Sequence, residues 1–451
     1  MSREARVAEL FGKVRKLFRR GGVGHDTIWA AGYEGMAVLS ALTGFAIIAK
    51  GLGTERYLGY VAVYAIVGTL GSPAYGGLIL AVLQHAVRDK EDLRTVASSA
   101  MTLALASGEV MGAAAMLIAY KVVHGVSPVA IALIVVAEMI LVPIINVVSA
   151  TIQAFGRFPL AMQLRIVPMV LRIIGLIALY VAGRVTLIAV GTCLVAGYLV
   201  VVGVAIIVGR RVLGFMVRPG VLMWRHLRTT FGYGLGISAL SAQNDGDKAV
   251  LSAYSPAEAI ALKKWNADGS LYSAAYRVVQ LGFLPVNGLI AATHVRFLHA
   301  EDAASRGQTR KAAQLSLLVL AYGALFSLGI WLVAPLIPIV LGEKYRGSLV
   351  MMKWLSPLVA FRSMAMFALN GLMGLGHVTL RTVLLVFGAV LSLAMYIALI
   401  PSMSWRGAVW GTLISESVLA ATTWTALIVL ERRAAQRAVV TIPDAMSIEM
   451  T

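Results

Sequence analysis

Val383, Leu384, Leu385, Val386, Phe387, Gly388, Ala389, Val390, Leu391, Ser392, Leu393, Ala394 and Met395 decide the fold class of this chain. A strand of a transmembrane barrel is roughly ten residues long and alternates apolar with polar side chains. Here apolar side chains occupy odd and even positions alike. With its flanks the stretch reaches the roughly 20 apolar residues that a membrane-spanning α-helix needs. It reads as a helix in a bilayer, and the barrel is excluded.

Working outward, similar runs fill the chain almost end to end. Twelve spans are predicted, at 27–50, 58–84, 95–120, 127–153, 159–182, 186–209, 229–253, 268–295, 312–341, 348–374, 378–401 and 407–430. The 451 residues are 59% hydrophobic and only 13% charged, with a mean hydropathy of +0.84. A soluble chain would be nearer one quarter charged. No stretch is left for a soluble catalytic domain.

The net charge of +18 reflects topology and not nucleic-acid binding. Placing both termini in the cytoplasm puts Arg15, Lys16, Arg19, Arg20, Arg88, Lys90, Arg94, Arg157, Arg165, Arg210, Arg211, Arg225, Arg228, Arg310, Lys311, Arg432 and Arg433 at cytoplasmic ends. The opposite loops are poorer in Lys and Arg, as the positive-inside rule requires. Cys193 is the single cysteine, so no disulfide and no cysteine-based metal site is expected. Residues 1–26 lack the apolar core and cleavage site of a signal peptide. Val7, Leu10, Phe11, Val14, Leu17 and Phe18 recur at helical spacing against Arg and Lys, predicting a surface helix on anionic lipid.

The chain repeats itself. Tyr60, Ala62, Tyr64, Pro73 and Gly76 recur 212 positions later as Tyr272, Ala274, Tyr276, Pro285 and Gly288. A looser echo links Phe155, Gly156 and Arg157 with Leu375, Gly376 and His377. The repeat predicts two six-helix bundles, 27–209 and 229–430, related by a pseudo-twofold axis along the membrane normal. Residues 210–228 become an amphipathic cytoplasmic linker, and 431–451 a cytoplasmic tail.

Ionisable residues inside the spans demand explanation. Each costs about 2.5–3.5 kcal/mol at mid-membrane on insertion scales. They are Glu34, Glu109, Glu138, Arg172, Asp245, Asp247, Lys248, Arg277, Arg362 and Glu416. Asp245 and Lys248 are spaced to meet on one helical face, either as an ion pair locking a helix contact or as part of a hydrated lining, with Asp247 pointing elsewhere. Tyr276, Gln280 and Asn287 form a polar stripe with Arg277 at its edge. Tyr60 and Tyr272 read as interface anchors near span ends, whereas Tyr64 and Tyr276 are candidate cavity residues. Arg172, Arg362 and Glu34 are candidates for substrate or ion contact, or for pairing with a neighbouring helix. Glu109, Glu138 and Glu416 receive no role beyond helix packing or ion coupling. No G-x-S-x-G, Walker A or H-E-x-x-H pattern occurs, and the seven His show no metal spacing, so no enzyme and no cofactor is expected.

Several stretches carry a resemblance. They are Asp247 and Lys248, Tyr254 through Ala259, Leu271 through Val278, Leu341 through Tyr345, and Leu52 and Gly53 through Gly59 and Tyr60. Over nearly the whole chain it resembles the Wzx-like O-antigen and exopolysaccharide flippases of the multidrug/oligosaccharidyl-lipid/polysaccharide (MOP) superfamily. Residues 260–268 depart from the family pattern as an insertion outside the eighth span.

The resemblance implies an all-α polytopic protein of the MOP/MATE-like fold in the bacterial inner membrane. It would move undecaprenyl-diphosphate-linked glycan across the bilayer by alternating access. Its first, second, seventh and eighth helices would line the cavity. Lys248, Arg277, Tyr276, Gln280 and Tyr64 would then face substrate, and Glu34, Asp245 and Asp247 would face the same cavity as ion-coupling candidates, while Asn287, Arg172 and Arg362 are further substrate-binding candidates read from the residues themselves. Membrane lipids, a polysaccharide polymerase and a chain-length regulator are the implied partners. The competing readings are a cation-coupled drug or metabolite antiporter of the same superfamily and a membrane-embedded glycosyl- or acyltransferase. The latter lacks any catalytic constellation.

Overall fold

Gly53 is where the structure first departs from the predicted spans. In this computed structural model the first helix, α1 (Val23–Ser72), runs through the expected loop and bends at Gly53, whose φ of 68° and ψ of 178° suit glycine alone. The structure describes residues 23–72, 76–256, 258–298, 308–333 and 342–440. The surface helix expected over 1–26 lies almost wholly outside them, as do Pro73 and the end of the tail.

The remaining helices are α2 (Leu78–Leu83), α3 (Leu93–Val122), α4 (Pro128–Ala154), α5 (Phe158–Val181) and α6 (Leu187–Leu213). Then come α7 (Trp224–Ala253), α8 (Ala259–Leu281), α9 (Phe283–Leu298), α10 (Gln308–Val333), α11 (Ser348–Gly374), α12 (Val378–Met403) and α13 (Trp405–Val440). Among the described residues there is no strand. Nine helices there are long and apolar enough to cross a membrane. One of these stretches, Ile28–Ser72, holds parts of two predicted spans, and the charged α7 and α8 are not among the nine. The architecture is that of a multi-pass, all-helical membrane protein.

Two details matter for the repeat. After α4, Gly156 (φ 89°) bonds to the Gln153 carbonyl at 3.0 Å and Arg157 to that of Ile152 at 3.1 Å. After α11, Gly376 (φ 81°) bonds to Met373 at 3.0 Å and His377 to Leu372 at 2.9 Å. Both are the same paired helix-ending turn, which a left-handed glycine permits. In addition, the Leu58 N–H donates to Ser270 Oγ at 2.9 Å. These two positions are separated by the repeat offset itself.

The chain divides into two compact units, Met1–Gly53 with Ile66–Ser238, and Thr54–Ala65 with Ala239–Thr451. In the first, Val82, Met101, Leu103, Val148, Met162 and Leu164 belong to one apolar core. Glycines let its backbones approach closely: a Cβ on Gly77 would stand 2.4 Å from the Thr230 carbonyl oxygen of α7. The segment after α6 is stitched to α3. Gly220 N–H donates to Thr102 Oγ1 at 2.8 Å, and Met223 N–H to Ser99 Oγ at 3.2 Å. In the second unit α11 is the central helix, with Leu358, Val359, Phe367, Ala368 and Leu369 fully buried. Residues 260–268, expected as an insertion, are the first turns of α8 and extend the eighth span. Trp265 Nε1 donates there to the Leu251 carbonyl at 2.7 Å.

Candidate functional site

The second unit gathers its charges into one network. On α7, Gln243, Asn244, Asp245, Gly246, Asp247 and Lys248 run through an unbroken helix, so their side chains fan over more than one face. Lys248 is completely buried. Its Nζ lies 2.9 Å from Asp247 Oδ1, 3.2 Å from Asp245 Oδ1 and 2.5 Å from the Asn244 carbonyl. The ammonium also sits 3.4 Å from the centroid of the Tyr276 ring, a cation–π contact in a dry setting. The expected Asp245–Lys248 pair is therefore present. Asp247, expected to point elsewhere, shares the same ammonium, and its second oxygen accepts from the Tyr272 hydroxyl.

Tyr272 and Tyr60 correct the anchoring expectation. Tyr272 is fully buried and serves the network, while Tyr60 is buried and packs its ring 4.7 Å from that of Tyr64. The helical period of α8, about 3.6 residues, explains the first: Tyr272 and Tyr276, one turn apart, both face α7 and place their rings 6.1 Å apart.

A second ion pair continues the network. Arg362 of α11 donates from Nε to Glu416 Oε1 of α13 at 2.7 Å, and its Nη2 stands 2.5 Å from the same oxygen. Nη1 donates to the side-chain oxygen of Asn244. Arg362 and Glu416 are both buried. Tyr396 of α12 adds its hydroxyl, 3.3 Å from the Gln243 carbonyl and 3.1 Å from Thr412 Oγ1. Lys248, Arg277 and Arg362 thus stand against Asp245, Asp247 and Glu416, and the network is formally neutral. Such pairing offsets the desolvation penalty of several kcal/mol that each unpaired buried ion would pay.

The network has a partly open edge. The Arg277 side chain is 36% exposed and that of Asp245 19%, with Nη2 3.4 Å from Oδ1. Gln280 accepts from Arg277 Nη1 at 3.0 Å. Arg277 is therefore the cation with donors to spare, held by one long ion pair and one neutral hydrogen bond.

The other candidates fall elsewhere. Asn287 is exposed on α9, beyond the interruption at Gly282 that ends the Tyr276–Gln280 stripe. Glu34 and Arg172 belong to the first unit. Glu34 is exposed, and the Arg172 guanidinium lies against Gly44 of α1. Glu138 accepts from the Tyr198 hydroxyl at 3.3 Å within a π-helical turn of α4, and Glu109 is exposed on α3. Sequence reasoning left Glu416 without a role and did not single out Tyr396 or Asn244. The partner of Glu416, Arg362, stands 54 positions away, so no local spacing reveals it.

Known structures place the fold. One described as the inward-facing conformation of a multidrug resistance MATE family transporter of the MOP superfamily aligns with a TM-score of 0.72 at 16% identity, over 88% of this chain and 96% of that one. A MATE protein in the bent conformation aligns with a TM-score of 0.57 at 17% identity, over 89% and 93%. A MOP superfamily transporter from Pyrococcus furiosus, described as having a binding pocket of reverse polarity that suggests a different function, aligns with a TM-score of 0.61 at 15% identity, over 89% and 94%. No family profile and no curated protein matches the chain. The chain has the MATE/MOP transporter fold.

Proposed function

We propose that this protein is a flippase that carries an undecaprenyl-diphosphate-linked oligosaccharide across the bacterial inner membrane by alternating access, for O-antigen, exopolysaccharide or capsule synthesis. Both termini are cytoplasmic in this reading. The observation that carries it is the open edge at Arg277. Its guanidinium has one carboxylate contact of 3.4 Å and remains partly exposed, beside Gln280. A diphosphate offers a fork of oxygens that matches a guanidinium better than a single distant carboxylate does. Tyr64, half-buried beside Tyr60, adds an aromatic face of the kind that suits sugar rings. Lys248 and Arg362 hold the helices that present Arg277, because their charges are consumed by Asp247 and Glu416. The fold supports transport, and one protein sharing it is described as having a pocket of reverse polarity, so the fold accommodates more than one pocket charge.

A second reading is a cation-coupled drug or metabolite antiporter. It is favoured by the multidrug transporter with the same fold, and Asp245 would be its partly exposed acid. The deciding experiment reconstitutes the protein in liposomes and measures two activities, flipping of a short fluorescent polyprenyl-diphosphate sugar and efflux of a cationic dye. The flippase reading expects sugar flipping that Arg277→Ala abolishes, that Arg277→Lys restores in part, and that leaves lipid-linked glycan on the cytoplasmic leaflet of cells carrying Arg277→Ala. Dye efflux without flipping, or unaltered flipping in Arg277→Ala, overturns it.

A further inference from the structure

A second polar cluster lies in the first unit, away from the spans' interiors, and the flippase reading makes no use of it. His85 sits in a π-helical turn, Gln84–Arg88, at the end of the second span. Such turns are rare and concentrate at functional sites. The chain then reverses through Lys90, a non-glycine residue at φ 54°, and the Glu91 N–H donates to the His85 carbonyl at 3.0 Å. This fold-back lays the Glu91 carboxylate on the His85 ring. His226 reaches the same carboxylate from the first turn of α7. Both imidazoles are buried, at 4% and 3% exposure, with ring centroids 4.3 Å apart.

Thr229 Oγ1 lies 2.9 Å from the Arg225 carbonyl and 3.1 Å from His85 Nε2. His85 Nδ1 faces two carboxylate oxygens, Glu91 Oε1 at 2.9 Å and Asp89 Oδ2 at 3.0 Å. A ring nitrogen and two carboxylate oxygens, each able to ligate a metal, converge there. Across Glu91, the other oxygen meets His226 Nε2 at 3.0 Å and Arg225 Nη2 at 2.6 Å.

We propose that His85 Nδ1, Glu91 and His226 Nε2, with Asp89 as a fourth donor, form a binding site for a divalent transition metal of the zinc type. Two imidazole nitrogens with carboxylate oxygens are the donor set that zinc takes, at bond lengths of about 2.0–2.2 Å. Donor atoms around such an ion stand roughly 3.4 Å apart in a tetrahedron. The three principal ligands already lie within 4.8 Å of one another, so closure needs side-chain adjustment only. Thr229 fixes the His85 ring from behind, the outer-shell contact that metal-bound histidines ordinarily have. His226 Nδ1 is buried without a hydrogen-bond partner. Metal binding must move the ring's proton there, so His226 is the weaker of the two nitrogen ligands. The site clips the start of α7 to the end of the second span.

The test uses the full chain, purified in detergent without a histidine tag and stripped with chelator. Zn²⁺ titration is expected to show one saturable site and a rise in melting temperature. Co²⁺ is expected to give the visible bands of a four-coordinate nitrogen and oxygen site without thiolate charge transfer, which excludes Cys193. His85→Gln should abolish binding and His226→Gln weaken it less. Thr229→Val should weaken it about 10- to 100-fold, as loss of an outer-shell partner does. The unaltered protein's Co²⁺ spectrum decides the matter even where a variant misfolds. No saturable Zn²⁺ or Co²⁺ binding, or equal binding after His85→Gln, overturns the proposal.

Discussion

The two polar clusters of this molecule solve the same problem in opposite ways. In the second unit, Lys248 and Arg362 are buried, and each is paired with a carboxylate within hydrogen-bonding distance. In the first, two carboxylate oxygens converge on His85 Nδ1, and His226 meets the same Glu91 carboxylate. The network of the second unit closes on itself except at its edge, where Arg277 is partly exposed. That of the first unit stays open to a cation. Burial decides which is tolerated: a mid-span charge must find its counter-charge within the protein, whereas a cluster at a helix end can recruit an ion from solution.

The sharpest way to break this comparison is Glu416→Leu. It leaves Arg362 buried without its carboxylate and should cost about 3–5 kcal/mol, read from equilibrium unfolding in mixed micelles. The double variant Arg362→Met with Glu416→Leu should recover most of that loss. Equal damage in single and double variants would show that the pair is not self-contained. Tyr272→Phe removes a donor from Asp247 and should cost about 1.5–3 kcal/mol in the same assay. Gly77→Ala drives a methyl into the Thr230 carbonyl and should cost about 1–3 kcal/mol, with no effect on the charge network. Arg277→Ala should be the mildest in stability, about 0–1 kcal/mol, because its ion pair is long and partly solvated. Its effect should appear in transport instead. A large loss of stability in Arg277→Ala would place that residue among the structural ions and remove the distinction between core and edge.

Much of the fold was legible because apolar length is a local property. The run Val383–Met395 sufficed to choose helix over barrel, and most of the predicted spans recur within one or two turns. The repeat was legible too, since Gly156 and Gly376 end α4 and α11 in matching turns. The connection at Gly53 was missed because a single residue with positive φ can replace a loop, and composition does not report φ. Residues 260–268 were misplaced because Lys263, Lys264 and Asp268 lower the apolar signal without breaking the helix.

Within the site, the Asp245–Lys248 pair was readable because three positions on a helix define one face. The roles of Tyr272 and Glu416 were not. Tyr272 resembles any aromatic near a span end until α7 is packed against it. Glu416 is one acid in an apolar helix until α11 brings Arg362 to it.

The sequence by itself determined the bilayer, the helices, the repeat and the presence of charges that require partners. Tertiary structure alone decided the partners. It matched Arg362 to Glu416, divided Lys248 between Asp245 and Asp247, and brought His226 to a carboxylate 135 positions earlier. The reason is physical. Insertion into lipid depends on what a segment is made of, summed along the chain. Neutralising a buried charge depends on distances of a few ångströms between helices, and no sum along the chain contains those.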